Sequence, residues 1–316
     1  MSWSARPSGA RDARASRSTG VVATSGSVAR RAAPPRPGSP RARALPVPIL
    51  SIAALLLFTA IALSYAVRVM RSGRLKHERL GDSPGSALCP AWVVEAFYWA
   101  LAAAGRALAR LGVSPDTLTW LSLAFSLASV PLLAIGHFPE AALCIAAGGG
   151  LDAIDGLVAR TQGRASPAGA ILDAVIDRLS DAAPFVGLSL YYRDRLGTLA
   201  VPLAALVASS LVSYVRARTD GLGLVLPNGL MRRHERVSYL VLALLLGPLV
   251  PPLAIAPGIP CPATLAGTAF IAIASAIAAI LLVTRARAAL SETAPQSAEA
   301  PRRPALRAFR SLPRDT

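Results

Sequence analysis

Five aspartates fall within residues 151–181, LDAIDGLVARTQGRASPAGAILDAVIDRLSD, between stretches apolar enough to span a membrane. Charge in such a setting is costly, which marks the stretch as a site. Asp152 and Asp155 are three apart and Asp173 and Asp177 four apart, so on helices each pair projects from one face. Two such faces turned together make a cage of four carboxylates, whose mutual repulsion calls for a cation between them. Oxygen-only donors favour a hard divalent ion, Mg2+ or Mn2+, and the cage has room for two. Asp152, Asp155 and Asp173 are the expected metal ligands. A fourth carboxylate left partly free could take a proton from a hydroxyl nucleophile.

Between the pairs stand Gly156, Ala159, Arg160 and Gly169. Arginine presents a planar fork of donors suited to phosphate oxygens, and the three small residues admit a ligand close to the helix backbone. Helix capping would explain one acid at a helix end, but not two in register.

The pattern Asp, two residues, Asp-Gly, two residues, Ala-Arg, eight residues, Gly, three residues, Asp, three residues, Asp resembles the signature of the CDP-alcohol phosphatidyltransferases, with no departure at any of its eight positions. The resemblance implies transfer of a phosphatidyl group from CDP-diacylglycerol to a hydroxyl of a small polar alcohol or alcohol phosphate, with release of CMP. It assigns the base role to Asp177, which also joins the metal ligands, and nucleotide and diphosphate binding to Gly156, Ala159, Arg160 and Gly169. Asp181 extends the ladder by one turn but lies outside the signature, and is expected to pair with Arg178 or a neighbouring polar group.

The elements that must position these residues are helical and apolar. The 316 residues are 53% hydrophobic, and the mean hydropathy is +0.50. This composition predicts an all-α polytopic membrane bundle. The net charge of +16 raises nucleic acid as a partner, but only 5% of residues are aromatic, no nucleic-acid motif is visible, and the arginines gather in tails and between spans. The expected partner is instead the lipid bilayer, in an inner or plasma membrane, and a second copy of the chain, as a homodimer, is a further candidate partner. Cys89, Cys144 and Cys261 lie far apart without ligand or redox spacing and are read as filling apolar space.

Residues 1–43 are rich in Arg, Ser, Pro and Gly and read as a disordered basic tail. A charge-free stretch over 44–67 predicts an extra N-terminal span, 68–90 a basic linker, 91–287 the catalytic membrane domain, and 288–316 a second disordered tail. Trp92, Tyr98 and Trp99 with Arg106 and Arg110 suit a helix lying at the membrane interface. Six core spans follow, the first opening at Ser114-Pro115-Asp116, the second carrying Gly148, Gly149 and Gly150 ahead of the first aspartate pair, and the third opening just before the second pair. Arg160, Arg164, Arg216, Arg218, Arg232, Arg233, Arg236, Arg285 and Arg287 collect on one side, against Arg193 and Arg195 on the other, which predicts a cytoplasmic active site.

A second basic segment, residues 213–240, predicts an anion pocket for a phosphorylated acceptor, held by Arg216, Arg218 and Arg236 near Tyr214. This arrangement looks like the branch of the family that makes phosphatidylglycerol phosphate or phosphatidylinositol phosphate. His77, His137 and His234 have no partners at ligand spacing. Two rivals remain at this level: an intramembrane prenyltransferase acting on a prenyl diphosphate, and a cation transporter.

Overall fold

The computed structural model describes residues 49–73, 91–224, 226, 229–250 and 258–293. Their elements are α1 (Ile49–Ser72), α2 (Ala91–Arg110), α3 (Pro115–Ala134), α4 (Phe138–Thr161), α5 (Pro167–Tyr191), α6 (Leu196–Asp220), α7 (Arg233–Leu246), a 3-10 turn at Gly247–Leu249 and α8 (Pro262–Thr293). Both tails fall outside the described residues or enter them only at 288–293, where α8 continues as helix. Likewise α1 runs past residue 67 to take in Arg68 and Arg71, whereas 74–90, including His77 and Cys89, lie outside the described residues.

Among the described residues, five helices are long and apolar enough to cross a membrane: Ile49–Ser72, Pro115–Ala134, Phe138–Thr161, Leu196–Asp220 and Pro262–Ser291. The expected six core spans are therefore not all of one kind. Only α3, α4, α6 and α8 qualify within the core, because α5 carries Asp173, Asp177, Arg178 and Asp181, and α7 has only 14 residues. Apolar side chains such as Leu56, Leu63, Val207, Ile273 and Ile280 stay exposed on the bundle's outside, as lipid contact requires. Inside, the hydroxyls of α3 bond to their own helix: Ser122 Oγ donates to Thr119 O at 2.8 Å and Ser126 Oγ to Ser122 O at 3.0 Å.

Serine and proline start the two helices that bracket the aspartate helix in sequence. Ser114 Oγ accepts from Thr117 N at 3.2 Å with Pro115 in the first turn of α3, and Ser166 Oγ accepts from Gly169 N at 3.1 Å with Pro167 in the first turn of α5. Gly169 thus stands at the third helical position, where its amide is bound by the cap.

Three consecutive glycines seat α4 against three different helices. A Cβ at Gly148 would stand 2.9 Å from Ser122 O of α3, one at Gly149 3.7 Å from Val237 of α7, and one at Gly150 3.6 Å from Leu101 of α2. Successive helical residues point about 100° apart, so the triplet clears most of the helix circumference just before Asp152. On α5, a Cβ at Gly187 would approach Leu133 Cβ to 2.8 Å and Val130 O to 2.9 Å, which brings α3 close to the second aspartate helix as well. α3 is therefore the common surface against which α4 and α5 are registered.

The helix α2, which carries the interfacial aromatic residues, is fastened at both ends. Tyr65 Oη of α1 donates to Glu95 Oε2 at 2.7 Å, in a buried contact beside Trp99. At the other end, Gln162 Nε2 donates to Ala109 O at 3.2 Å and Val113 O at 3.0 Å, tying the end of α2 and the turn after it to the end of α4.

Candidate active site

Asp152 and Asp155 stand on the C-terminal half of α4, and Asp173 and Asp177 on the N-terminal half of α5. The two helices run in opposite directions across a short connection, so both pairs meet at one end of the bundle. One carboxylate oxygen from each of Asp152, Asp155 and Asp173 lies within 4.8 Å of the others. Asp155 is 5% exposed; it accepts from Thr119 Oγ1 of α3 at 2.8 Å through Oδ2 and from Gly156 N through Oδ1. Asp152 Oδ1 is buried without a hydrogen-bond partner. Hard oxygen donors, convergent and including a bare buried oxygen, are the donor set that a divalent cation takes.

Asp177 is not one of that trio but lies beside Asp152, with which it shares the Arg233 guanidinium. Its Oδ1 is 2.8 Å from Arg233 Nη1, an ion-pair distance without hydrogen-bond alignment. The same guanidinium bonds to Asp152 Oδ2 through Nη1 and to Asp181 Oδ1 through Nε at 3.0 Å. Arg236 Nη2 then donates to Asp181 Oδ2 at 2.8 Å and to Ser213 Oγ at 2.9 Å. Asp181 is thus bridged by two arginines of α7; the expected neighbour Arg178 donates instead to Ser213 O at 3.4 Å. One positive charge set among the carboxylates offsets part of their repulsion.

Against Asp177 lies a cavity of about 400 Å³, whose lining includes five arginines: Arg178, Arg216, Arg232, Arg233 and Arg236. Of the three arginines expected to hold an acceptor, Arg216 and Arg236 line it and Arg218 does not: Arg218 is exposed on the outside of α6, and Tyr214 is 64% exposed. Residues two apart on a helix point nearly opposite ways, so Arg216 and Arg218 could not share one pocket. Arg236 is 4% exposed and already engaged, with Nη1 donating to Met231 O at 2.7 Å; it braces the wall. Arg216 keeps a buried Nη2 with no hydrogen-bond partner. Burial and the neighbouring Arg216 hold the Arg232 guanidinium below its ordinary range, with Glu235 offsetting part of this.

Arg178, Arg232 and Arg233 line the pocket and Thr119 meets the cage without being expected from the sequence. The three-residue spacing of Arg233 and Arg236 was the available signal for a shared face. Ala159 and Gly156 are half-buried on α4, and Arg160 is exposed near its end. His137 pairs with Glu140 at 3.5 Å at the start of α4, and His234 is half-buried, with burial holding it below the ordinary imidazole range. Cys144 and Cys261 are free and half-buried, and Tyr191 Oη contacts Cys261 Sγ at 3.7 Å.

A family model described as CDP-alcohol phosphatidyltransferase matches residues 112–291. The chain belongs to the CDP-alcohol phosphatidyltransferase family. That membership displaces the prenyltransferase and transporter readings and, with the apolar helices, makes the chain an integral membrane protein. It is similar to the phosphatidylinositol phosphate synthase of Mycobacteroides abscessus, 36% identical over 135 residues, which are 42% of this chain and 61% of that one. The corresponding Streptomyces avermitilis synthase is 38% identical over 141 residues, covering 43% of this chain and 58% of that one. An archaetidylinositol phosphate synthase of Pyrococcus horikoshii is 35% identical over 140 residues, 44% of this chain and 73% of that one. The chain thus spans about 60% of the length of the first two relatives. Among solved structures, the Mycobacterium tuberculosis phosphatidylinositol phosphate synthase with CDP-DAG bound superposes with a TM-score of 0.50 at 30% identity, covering 59% of this chain and 92% of that one. The same synthase in complex with manganese and citrate gives a TM-score of 0.52 at 29% identity, with 59% and 88% covered.

Proposed function

We propose that this protein transfers the phosphatidyl group of CDP-diacylglycerol to a hydroxyl of an alcohol phosphate, with inositol phosphate as the favoured acceptor, and releases CMP. The observation that carries this reading is the arginine-lined cavity meeting the carboxylate cage at Asp177. An acceptor phosphate held by Arg216 and Arg232 would place its hydroxyl toward the carboxylates, and charge-assisted bonds to arginine suit a dianionic group. An exposed apolar face of α5, carrying Ile171, Val175 and Leu179, leads to the cavity at Arg178, as a lipid donor would require. The relatives named as phosphatidylinositol phosphate synthases support the same choice.

Asp152, Asp155 and Asp173 hold the metal, with Asp177 able to join them. Mg2+ or Mn2+, as one or two ions, would supply charge neutralisation to the diphosphate and its leaving group. In the transfer, the acceptor oxygen forms a bond to the phosphatidyl phosphorus as the P–O bond to CMP breaks. Asp177, which faces the cavity, receives the hydroxyl proton. Gly156, Ala159 and Gly169 admit the nucleotide, and Arg160 pairs with its phosphates. The arginine-rich end of the bundle faces the cytoplasm, where CMP is released.

The test is CMP release by the purified protein with CDP-diacylglycerol, a divalent cation, and a panel of inositol phosphate, glycerol phosphate, inositol and glycerol. Turnover with inositol phosphate well above the others is expected. Preference for an unphosphorylated alcohol would overturn the acceptor assignment, and absence of CMP release with all four would overturn the reaction.

A further inference from the structure

Glu235 is completely buried in the first turn of α7, yet among the described residues no basic side chain stands within ion-pair distance of it. Its Oε1 is buried without a hydrogen-bond partner, and its Oε2 accepts only from the main-chain amide of Arg232, at 3.0 Å. Burying a carboxylate with half its acceptors unused is costly, so the remaining bond has to matter. That bond fastens one side of an unusual turn. Met231, itself fully buried, has φ 54°, a left-handed conformation that a side-chain-bearing residue keeps only when its surroundings impose it. The other side of the turn is fastened by Arg236 Nη1, which donates to Met231 O at 2.7 Å. Immediately after the turn come Arg232 and Arg233, both on the cavity wall.

We infer that Glu235 is a positioning residue of the acceptor pocket: it clamps the Met231–Arg232 turn so that Arg232 presents its guanidinium group to the acceptor phosphate. This rests on the acceptor reading above. The clamp needs an acceptor atom at the carboxylate position rather than its charge, so Glu235→Gln preserves it. Glu235→Leu keeps similar bulk, removes a costly buried carboxylate, and frees the Arg232 amide. Loss of one well-placed charge-assisted contact to the phosphate weakens binding by about tenfold.

The experiment uses the full chain in lipid nanodiscs. In Glu235→Leu, the KM for inositol phosphate should rise about tenfold, while kcat and the KM for CDP-diacylglycerol stay within about twofold; Glu235→Gln should match the wild type within about twofold. A role in folding alone would instead lower kcat in step with the folded fraction and leave the acceptor KM unmoved. An unmoved acceptor KM in Glu235→Leu, or equal impairment of Gln and Leu, overturns the inference. A second readout does not depend on which alcohol is used: protection of the cavity arginines from phenylglyoxal by inorganic phosphate. The phosphate concentration for half-protection should rise about tenfold in Glu235→Leu only. If the wild type uses no alcohol phosphate, the acceptor reading fails while this readout still judges the clamp, and an unshifted protection curve would overturn it.

Discussion

Thr119 Oγ1 on α3 donates to Asp155 Oδ2 on α4 at 2.8 Å, and both side chains are buried. The bond fixes the carboxylate of the central proposed ligand from a helix that contributes no ligand itself. Removing such an outer partner costs about 10–100-fold in metal affinity in other sites. Thr119→Val is therefore expected to raise the manganese concentration needed for half-maximal CMP release by that factor, while Thr119→Ser stays near the wild type. Equal manganese requirements in Thr119→Val and the wild type would leave the hydroxyl a packing feature.

Charge in the cage is tested without a change of volume. Asp155→Asn and Asp173→Asn each remove one ligand charge, and turnover should fall by about a hundredfold or more, because the metal's share of transition-state stabilisation is several kcal/mol. Both variants should remain in the membrane in wild-type amounts. If abundance falls while turnover per folded molecule persists, the carboxylates are structural.

Much of this cage was legible from residue type and spacing alone, since a three- or four-residue interval fixes a shared helical face whatever the tertiary packing. Thr119 was not legible, because its contact depends on how α3 settles against Gly148 and Gly187. Arg233 was hidden for a similar reason: its place among Asp152, Asp177 and Asp181 follows from the seating of α7, where Val237 packs on Gly149. The six expected core spans divide into two kinds because hydropathy and bundle membership are different properties. α5 is a core helix whose charges serve the site, and α7 is a core helix cut to 14 residues before the turn at Gly247.

Arg233 gives a metal-linked stability prediction. Removing one partner from a largely buried cluster of opposite charges costs about 3–5 kcal/mol, because the remaining charges lose compensation. Arg233→Ala should therefore lower the thermal midpoint markedly in EDTA. Manganese, which offers the same carboxylates an alternative cation, should narrow the gap to the wild type. A deficit of equal size with and without manganese would mean that the arginine and the metal do not share these carboxylates.

The two arginines of α6 separate a pocket role from a topological one. Arg216 lines the cavity with a buried Nη2 that has no hydrogen-bond partner, whereas Arg218, two residues on, is exposed away from it. Both add the same charge to the same end of the bundle, so they contribute alike to membrane orientation. A hydrogen bond between charged groups contributes about 1.5–3 kcal/mol, or roughly ten- to a hundred-fold in binding. Arg216→Ala should raise the KM for inositol phosphate by that factor and leave the KM for CDP-diacylglycerol unchanged, and Arg218→Ala should alter neither by more than about twofold. Arg216→Lys should recover only part of the loss, because a point charge lacks the planar fork that grips two phosphate oxygens. Equal effects of Arg216→Ala and Arg218→Ala would assign both residues to insertion. A loss in Arg216→Ala confined to CDP-diacylglycerol would move the cavity from acceptor to donor.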